Sequence, residues 1–187
     1  MESKLTPSDY ERMKWMRSFL SLPDGGVEWA FPTIDDCATR FASVRWPGGV
    51  LCPKCKSSDV GFLELRKLYH CRNCRGQFSV TSGTAAHRSR LDLRLWFKAA
   101  EDIITAYALG GAEAYLTGHG LADRYGISYA AAYRMKQILL KDLVDPKGLF
   151  RPSICVRDVV VPPDIADSDF HCFSWLVSQV MAAWRYR

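Results

Sequence analysis

The spacing of apolar and polar residues predicts two helices in the first fifty residues of the chain. Residues 6–22 suit a helix in which Thr6 is the N-cap and a proline takes the first helical position. Its apolar positions recur on one face: Met13, Met16, Phe19 and Leu20. A second, shorter helix begins at Thr33, and its apolar face comprises Cys37, Phe41 and Val44. Glycine-containing runs at 23–26 and 46–49 end the two helices.

Between residues 50 and 84 the helical spacing gives way to short strands and turns around paired cysteines, and a long helix follows. The strongest helical pattern of the chain covers residues 89–109. Its apolar residues recur at helical spacing: Leu91, Leu95, Ala99 and Ile103. Gly110 and Gly111 end this helix.

The next two predicted helices, 118–125 and 129–143, have the form of a helix-turn-helix. Gly126 allows the turn, Ile127 packs into the core, and Ser128 caps the second helix. The inward positions are Leu121, Ala122, Ala132, Met135 and Leu139. The outward face offers Tyr129, Ala130, Tyr133, Arg134 and Gln137. Arginine and glutamine can hydrogen-bond guanine and adenine edges in a DNA major groove. Any helical hairpin can contain this turn, so the pattern alone also fits a plain solvated face.

The periodic signal weakens after residue 145, and the tail at 151–187 suits at most one further helix. Six apolar side chains could share a face of that helix and serve packing or dimerisation: Phe170, Phe173, Trp175, Leu176, Val180 and Trp184. The tail also contains four carboxylates: Asp158, Asp164, Asp167 and Asp169. Because they lie beside two prolines, we interpret them as turn and cap residues.

Composition narrows the class of protein without changing this outline. The 48% apolar and 24% charged residues are typical of a soluble globular protein and exclude wholesale disorder. No apolar run approaches the roughly 18 residues that span a bilayer. The start of the chain lacks the apolar core of a signal peptide. We therefore expect an intracellular, cytoplasmic protein with reduced cysteines, no membrane partner and no small-molecule substrate.

Positive charge is concentrated in the middle of the chain. Residues 1–39 carry a net charge of −3 and residues 99–187 carry −1, whereas residues 40–98 carry +9. Four zinc-bound thiolates would lower this last value to about +7. A basic segment of this size is the electrostatic footprint of a nucleic-acid-binding protein.

The central segment contains two Cys-x-x-Cys pairs, which predict a small fold organised around a metal site. Cys52 and Cys55 form the first pair, Cys71 and Cys74 the second, and fifteen residues separate the pairs. Each pair can direct two sulfurs at one point, so together they supply the four vertices of a tetrahedral zinc site. Buried cysteines without metal and a redox pair are the alternatives, but basic neighbours favour thiolates and hence metal. Zinc with four cysteine ligands has no open coordination position, so its role would be structural.

Other residues near the cysteines receive structural interpretations. We expect His70 to pack or to donate a hydrogen bond to the ligands, because four cysteines already complete the site. The second pair continues into a predicted strand at 76–81, whose Phe78 and Val80 should pack on the following helix. Residues 82–84 then form the turn towards the helices. The remaining cysteines suit buried apolar positions: Cys37, Cys155 and Cys172.

Four motifs occur in order along the chain, and together they carry a family resemblance. They are FPTIDDCATRFASVRWPGGVLCPKC from residue 31, YHCRNCRGQFSVTSGT from 69, LWF from 95 and GLADRYGISYAAAYRM from 120. Residues 31–143 therefore resemble the N-terminal, DNA-binding part of zinc-ribbon insertion-sequence transposases of the ISXO-like group. The resemblance implies that a ribbon and a helix-turn-helix bind the ends of the element. It also implies a following RNase H-like domain with a metal-binding carboxylate triad of the DDE type.

The tail departs from this family pattern. Residues 151–187 are too few to build the multi-strand sheet that would hold the carboxylates and their two metal ions. We therefore expect a protein without the DDE catalytic domain and without enzymatic activity. The tail could be a remnant, a readthrough in another frame, or a new segment for a homodimer or a protein partner.

These observations predict an α+β, mainly α protein with a small four-cysteine ribbon between helical parts. The expected divisions are an N-terminal helical segment (1–48), the zinc ribbon (49–86), a three-helix helix-turn-helix domain (87–145) and a divergent tail (146–187). Six basic residues should contact phosphates, which position DNA without specifying its sequence: Arg72, Arg75, Arg88, Arg90, Arg94 and Lys98. The helix that Ser128 caps should read the bases.

The expected function is sequence-specific binding of double-stranded DNA, dependent on one structural Zn²⁺. A transcription regulator or accessory factor associated with the nucleoid fits this expectation. One alternative is the targeting subunit of a transposase whose catalytic half lies on another chain. The other is a ribbon that docks on a polymerase or other protein machinery.

Overall fold

The computed structural model describes residues 4–110 and 116–185, so the predicted helix stop at Gly111 lies outside the described residues. The helices are α1 (Pro7–Leu20), α2 (Gly26–Ala30), α3 (Ile34–Arg45), α4 (Leu93–Ala108), α5 (Gly118–Tyr125), α6 (Tyr129–Val144), α7 (Phe150–Ile154), α8 (Pro163–Ala166) and α9 (Asp169–Trp184). The strands are β1 (Val60–Leu63), β2 (Leu68–Cys71) and β3 (Gln77–Phe78). The predicted class, α+β and mainly α, is confirmed.

Local capping decides where α1 and α3 begin. The Thr6 side chain accepts a hydrogen bond from the backbone N–H of Asp9, and the Asp9 carboxylate accepts one from the Thr6 N–H in return. Thr33 and Asp36 form the same reciprocal pair at the start of α3. Each pair satisfies two backbone donors that a helix start leaves free, so both starts agree with the sequence prediction.

Helix α4 begins four residues later than its apolar pattern predicts. Asp92 caps it by accepting a hydrogen bond from the Leu95 N–H at 2.8 Å. The preceding Ser89 instead forms a turn, in which its hydroxyl accepts hydrogen bonds from the Leu91 N–H and the Trp96 indole N–H. Leu91 lies before the capped start, and both it and Leu95 are only partly buried.

The main core surrounds α4, which contacts α1, α2, α3, α6 and α7. Apolar residues on more than one side of α4 make this central position possible. Phe97, Ile103 and Ile104 are fully buried there. Phe150 of α7 also lies in this core, with its ring stacked on that of Trp96 at a centroid distance of 5.4 Å. The core therefore draws on residues from both ends of the described chain.

The tail helix α9 packs against α1, and its buried face agrees in part with the predicted one, because Leu176 and Val180 are buried as expected. Cys172, Leu176 and Val180 are buried at helical spacing, whereas Phe170 and Trp184 are exposed. The sequence pattern could not separate these positions, because apolar residues surround the helix almost completely. None of the helices in residues 4–110 and 116–185 combines the length and the apolar character that crossing a bilayer requires.

The ribbon is a three-stranded antiparallel sheet in the order β1-β2-β3. Strand β3 covers only Gln77–Phe78, so the predicted strand at 76–81 is too long. The chain turns after Phe78, where the Ser79 N–H donates to the Ser82 hydroxyl at 2.9 Å. The Phe78 prediction is also wrong. Its ring packs on Trp46 and Tyr69 inside the ribbon, while Val80 packs against the main core.

Candidate functional site

Two matched turns carry the four paired cysteines. Cys52 and Cys55 lie in the turn before β1, while Cys71 ends β2 and Cys74 lies in the turn towards β3. Each turn continues with a basic residue in the left-handed conformation, Lys56 with φ 63° and Arg75 with φ 57°. Backbone N–H groups of each loop donate to the sulfurs of the same loop. The pairing of β1 with β2 then brings the two turns together, because Val60 faces Cys71 in the register.

The sulfur positions fit one tetrahedral metal ion. The four Sγ atoms all lie within 4.8 Å of one another. The Sγ atoms of Cys52 and Cys74 are 3.6 Å apart, and those of Cys55 and Cys71 are 3.5 Å apart. A tetrahedron with Zn–S bonds of about 2.3 Å has sulfurs about 3.8 Å apart. The four cysteines therefore fit a single structural zinc.

The electrostatics of the cluster also call for a cation. Backbone N–H groups of Cys55 and Lys54 lower the pKa of the Cys52 thiol to about 6. For Cys74 the Gly76 N–H favours the thiolate, but burial and the three neighbouring sulfurs outweigh it and raise the pKa to about 11. The protein alone therefore accommodates one thiolate more easily than four. A divalent cation removes this conflict, because it compensates the charge of all four sulfurs.

Neighbouring groups orient the ligands. The Cys74 N–H lies 3.5 Å from the Cys71 Sγ, and the Asn73 side-chain amide lies 3.8 Å from the Cys55 Sγ. His70 is adjacent to Cys71 on β2, so its side chain points to the opposite side of the sheet. The other cysteines are apart from the cluster: Cys37 and Cys172 are buried in the main core, and Cys155 is partly buried beside it.

Helix α3 connects the ribbon to the helical body. Trp46, at its C-terminal end, packs edge-on against Tyr69 with ring centroids 5.3 Å apart. The Arg45 guanidinium lies over the Trp46 ring at 4.3 Å and donates to the backbone carbonyls of Val80 and Ser82. An ion pair between Lys67 and Asp35 at 2.8 Å adds a second link.

The structure divides the six predicted phosphate-binding residues into two groups. Arg72 pairs with Asp59 at 2.7 Å, and both Arg94 and Lys98 pair with the Glu28 carboxylate, at 2.9 and 3.1 Å. The second group is exposed and forms no ion pair with any residue that the structure describes: Arg75, Arg88 and Arg90. Contact with DNA remains a prediction for all six. Arg72, Arg94 and Lys98 would have to break their ion pairs before they could bind a phosphate.

Helices α5 and α6 meet at the turn that the sequence predicts. Gly126 adopts the left-handed conformation at φ 62°, and the Ser128 hydroxyl accepts a hydrogen bond from the Ala131 N–H. The predicted inward residues are buried, and Leu143 joins them: Leu121, Ala122, Ala132, Met135 and Leu139. Helix α5 is tied to α4 through Asp102, which accepts from the Tyr125 hydroxyl and pairs with Arg124 at 2.7 Å.

The outward face of α6 forms a shallow groove of about 460 Å³. Its lining comprises Tyr129, Ala130, Tyr133, Arg134, Gln137, Ile138 and Lys141. Five of these are residues that the sequence suggested for base contacts, and Ser128 lies exposed at the N-terminal end of the same helix. Ile138 and Lys141 were missed, although their spacing from Arg134 and Gln137 places them on the same side of the helix.

The ribbon matches a known family of domains. Residues 32–77 match the transposase zinc-ribbon domain (IS1595). This range contains α3, both cysteine pairs, β1, β2 and the first residue of β3. The resemblance to insertion-sequence transposases is therefore confirmed for the ribbon region.

A curated relative extends the similarity beyond the ribbon. Over 113 residues, which are 59% of this chain, the sequence is 30% identical to a protein of Halobacterium salinarum described as "Uncharacterized protein in transposable element ISH50". The match covers 36% of that protein, so this chain spans about a third of its relative's length. No solved structure is significantly similar.

Proposed function

We propose that this chain binds double-stranded DNA sequence-specifically, as the recognition part of a transposase-derived protein. The outward face of α6 carries this proposal, because it presents Arg134 and Gln137 together on one exposed groove. Both side-chain types form bidentate hydrogen bonds with base edges in the major groove. The match of the ribbon to a transposase domain supports the same reading.

The two modules would divide the work of DNA binding. Arg75, Arg88 and Arg90 lie in or just after the ribbon, are exposed, and would contact phosphates. Helix α6, preceded by α5 and a tight turn, would enter the major groove as the recognition helix of a helix-turn-helix. Zinc would act only through the fold, because loss of the ribbon removes the phosphate contacts that orient α6.

The role we propose is non-catalytic: a transcription regulator or accessory factor that binds DNA in a bacterial-type nucleoid. Three of the four tail carboxylates serve local structure: Asp164 and Asp167 lie at the two ends of α8, and Asp169 accepts a hydrogen bond from the Tyr10 hydroxyl at 2.8 Å. Among residues 4–110 and 116–185, one group of three or more potential ligands is close enough together to share a metal ion, and it consists of the four paired cysteines. Specific cleavage of a bound duplex with Mg²⁺ or Mn²⁺ would overturn this assignment.

Selection from randomised duplexes with the full-length, zinc-loaded chain tests the proposal directly. The selected duplex should bind at least about 10³-fold more tightly than a scrambled one at physiological salt. Arg134→Ala is the informative variant, and Arg157→Ala, which removes an exposed cation that pairs with Asp24, is the matched control. Equal affinity for selected and scrambled duplexes contradicts sequence-specific recognition.

Two specific observations favour other roles for the same modules. The relative in a transposable element is longer than its match to this chain, which fits a targeting subunit that works with a catalytic domain. A purified RNase H-like partner should then cleave element ends only when this chain is present.

Leu65 is fully exposed at the turn between β1 and β2, which fits a ribbon that docks on a protein. Absence of any duplex affinity at low salt, together with a stable protein complex, favours that third role.

A further inference from the structure

An aromatic stack stands on the exposed face of α6. Tyr129 and Tyr133 lie one turn apart, with ring centroids separated by 6.0 Å and an interplanar angle of 28°. The His119 ring of α5 also stacks with Tyr129, with ring centroids 4.3 Å apart and an interplanar angle of 26°. The two tyrosines remain 47% and 50% exposed. Aromatic rings that are both ordered and solvent-exposed are typical of binding surfaces, because burial of their faces is favourable.

The backbone of α5 holds this stack in place. A Cβ at Gly118 would lie only 2.9 Å from Cε2 of Tyr129, so the ring fits because this position has no side chain. His119, the next residue of α5, stacks with the same ring. We call the stacked rings of His119, Tyr129 and Tyr133 the aromatic wall. Because this wall is formed before binding, it loses little conformational entropy when a partner contacts it.

The groove beside this wall combines apolar and cationic groups. Tyr129, Ala130, Tyr133 and Ile138 supply its apolar surface, and Arg134 and Lys141 supply positive charge. None of the described lining residues is a carboxylate. An occupant that is anionic outside and apolar at the point of contact fits this combination. A DNA duplex meets both conditions where thymine methyl groups project into its major groove.

We propose that this groove receives thymine C5-methyl groups, so that α6 selects A·T pairs in the major groove. Gln137 lies one helical turn after Tyr133, and glutamine is the side chain that bonds both N6 and N7 of adenine. The aromatic wall thus suits the thymine methyl group of an A·T pair, and Gln137 suits the N6 and N7 atoms of its adenine. The inference rests on the proposed DNA-binding function and adds the class of base pair that is read.

Two duplexes of simple sequence test the inference without knowledge of the natural target. One is an alternating dA-dT duplex and the other an alternating dA-dU duplex, which keeps the hydrogen-bonding groups and the charge but lacks the methyl groups. Fluorescence polarisation with the full-length, zinc-loaded chain should show tighter binding to the dA-dT duplex, by about three- to fourfold for each methyl group buried.

Two variants show where the methyl preference originates. Tyr133→Ala removes the open end of the wall and should bring the affinity ratio of the two duplexes close to one. Trp29→Ala removes an aromatic ring that is 76% exposed on α2, and it should keep the wild-type ratio. Both side chains are at least half exposed, so each variant should fold and retain one zinc per chain.

The outcomes separate this inference from the function on which it depends. Binding of both duplexes with equal affinity by the wild-type chain overturns the inference and leaves DNA binding intact. Absence of binding to either duplex at low salt overturns both. An unchanged ratio in Tyr133→Ala overturns the assignment to this groove. If Tyr133→Ala dissolves a dimer without changing DNA affinity, the groove is occupied by a second copy of the chain, and the inference is again wrong.

Discussion

Removal of zinc should unfold the ribbon and leave the helical body folded. The ribbon has a small cluster of its own, in which only Cys52, Cys71 and Phe78 are buried. One buried aromatic side chain stabilises a fold by about 1.5–3 kcal/mol. A structural zinc contributes about 10–16 kcal/mol at pH 7 in comparable small modules. Zinc is therefore the larger contribution to ribbon stability, whereas the core around α4 contains no zinc ligand.

Amide hydrogen exchange of the full-length chain measures this difference residue by residue. With a strong chelator, the amides of β2, which pair with β1 and β3, should lose their protection. Those of α4 around Phe97 and Ile103 should keep it, because these residues are fully buried in the other cluster. Cys52→Ser should reproduce the effect of the chelator and reduce the zinc content well below one ion per chain.

A matched variant controls for loss of a thiol. Cys155→Ser changes a partly buried cysteine that is not in the zinc cluster and whose thiol donates to the Ser18 carbonyl, a bond that serine can also make. It should retain one zinc and normal β2 protection. Unchanged β2 protection after complete zinc removal would refute the reasoning, because packing alone would then hold the ribbon. Equal loss in α4 would also refute it, since the two clusters would then unfold as one unit.

Four further substitutions have defined expected results. Arg134→Ala should lower discrimination between duplexes by about 1–3 kcal/mol, whereas Arg90→Ala should weaken all duplexes alike and reduce the salt slope by about one; equal effects in salt-titrated binding curves contradict this division. Tyr125→Phe leaves the part-buried Asp102 carboxylate without one donor and should lower the free energy of unfolding in urea by about 1–3 kcal/mol. An unchanged free energy of unfolding would contradict a net contribution of this hydrogen bond to stability. Burial raises the pKa of Asp142 above 3.8, so the folded state holds this proton to higher pH than the unfolded state does. Its contribution to stability should therefore fall as pH rises above about 4, and Asp142→Asn should remove that fall from urea midpoints measured between about pH 4 and pH 6; an identical pH profile in the variant contradicts the assignment.

Several features that depend on neighbouring residues were predictable from the sequence, although the local cap of α4 at Asp92 was missed. The capping pairs at Thr6 and Thr33 act within four residues, so their residue types alone specify where α1 and α3 begin. The same holds for Gly126 and Ser128 between α5 and α6. The cysteine spacing has a comparable local logic, because two intervening residues are enough to direct a pair of sulfurs at one point.

Side-chain partners across the fold could not be predicted in this way. A count of basic residues assigns Arg94 and Lys98 to the DNA-binding surface, whereas the fold places Glu28 beside both of them. The sequence separation between these residues gives no indication of that contact. The ring of Phe78 illustrates the same point, since Trp46 reaches it from the end of α3 and not from the helix that follows it.

The sequence by itself determined the starts of α1 and α3, the turn between α5 and α6, the zinc ligands and the resemblance to insertion-sequence transposases. The helix starts, the turn and each cysteine pair depend on hydrogen bonds and spacings within a few residues, and the resemblance depends on the order of motifs along the chain, so none of them requires the fold. Only the tertiary structure decided which face of α9 is buried, which cations remain unpaired, and that Tyr129, Tyr133 and His119 form one stack. The reason is physical: burial and ion pairing depend on which elements meet, and packing around α4 selects those meetings.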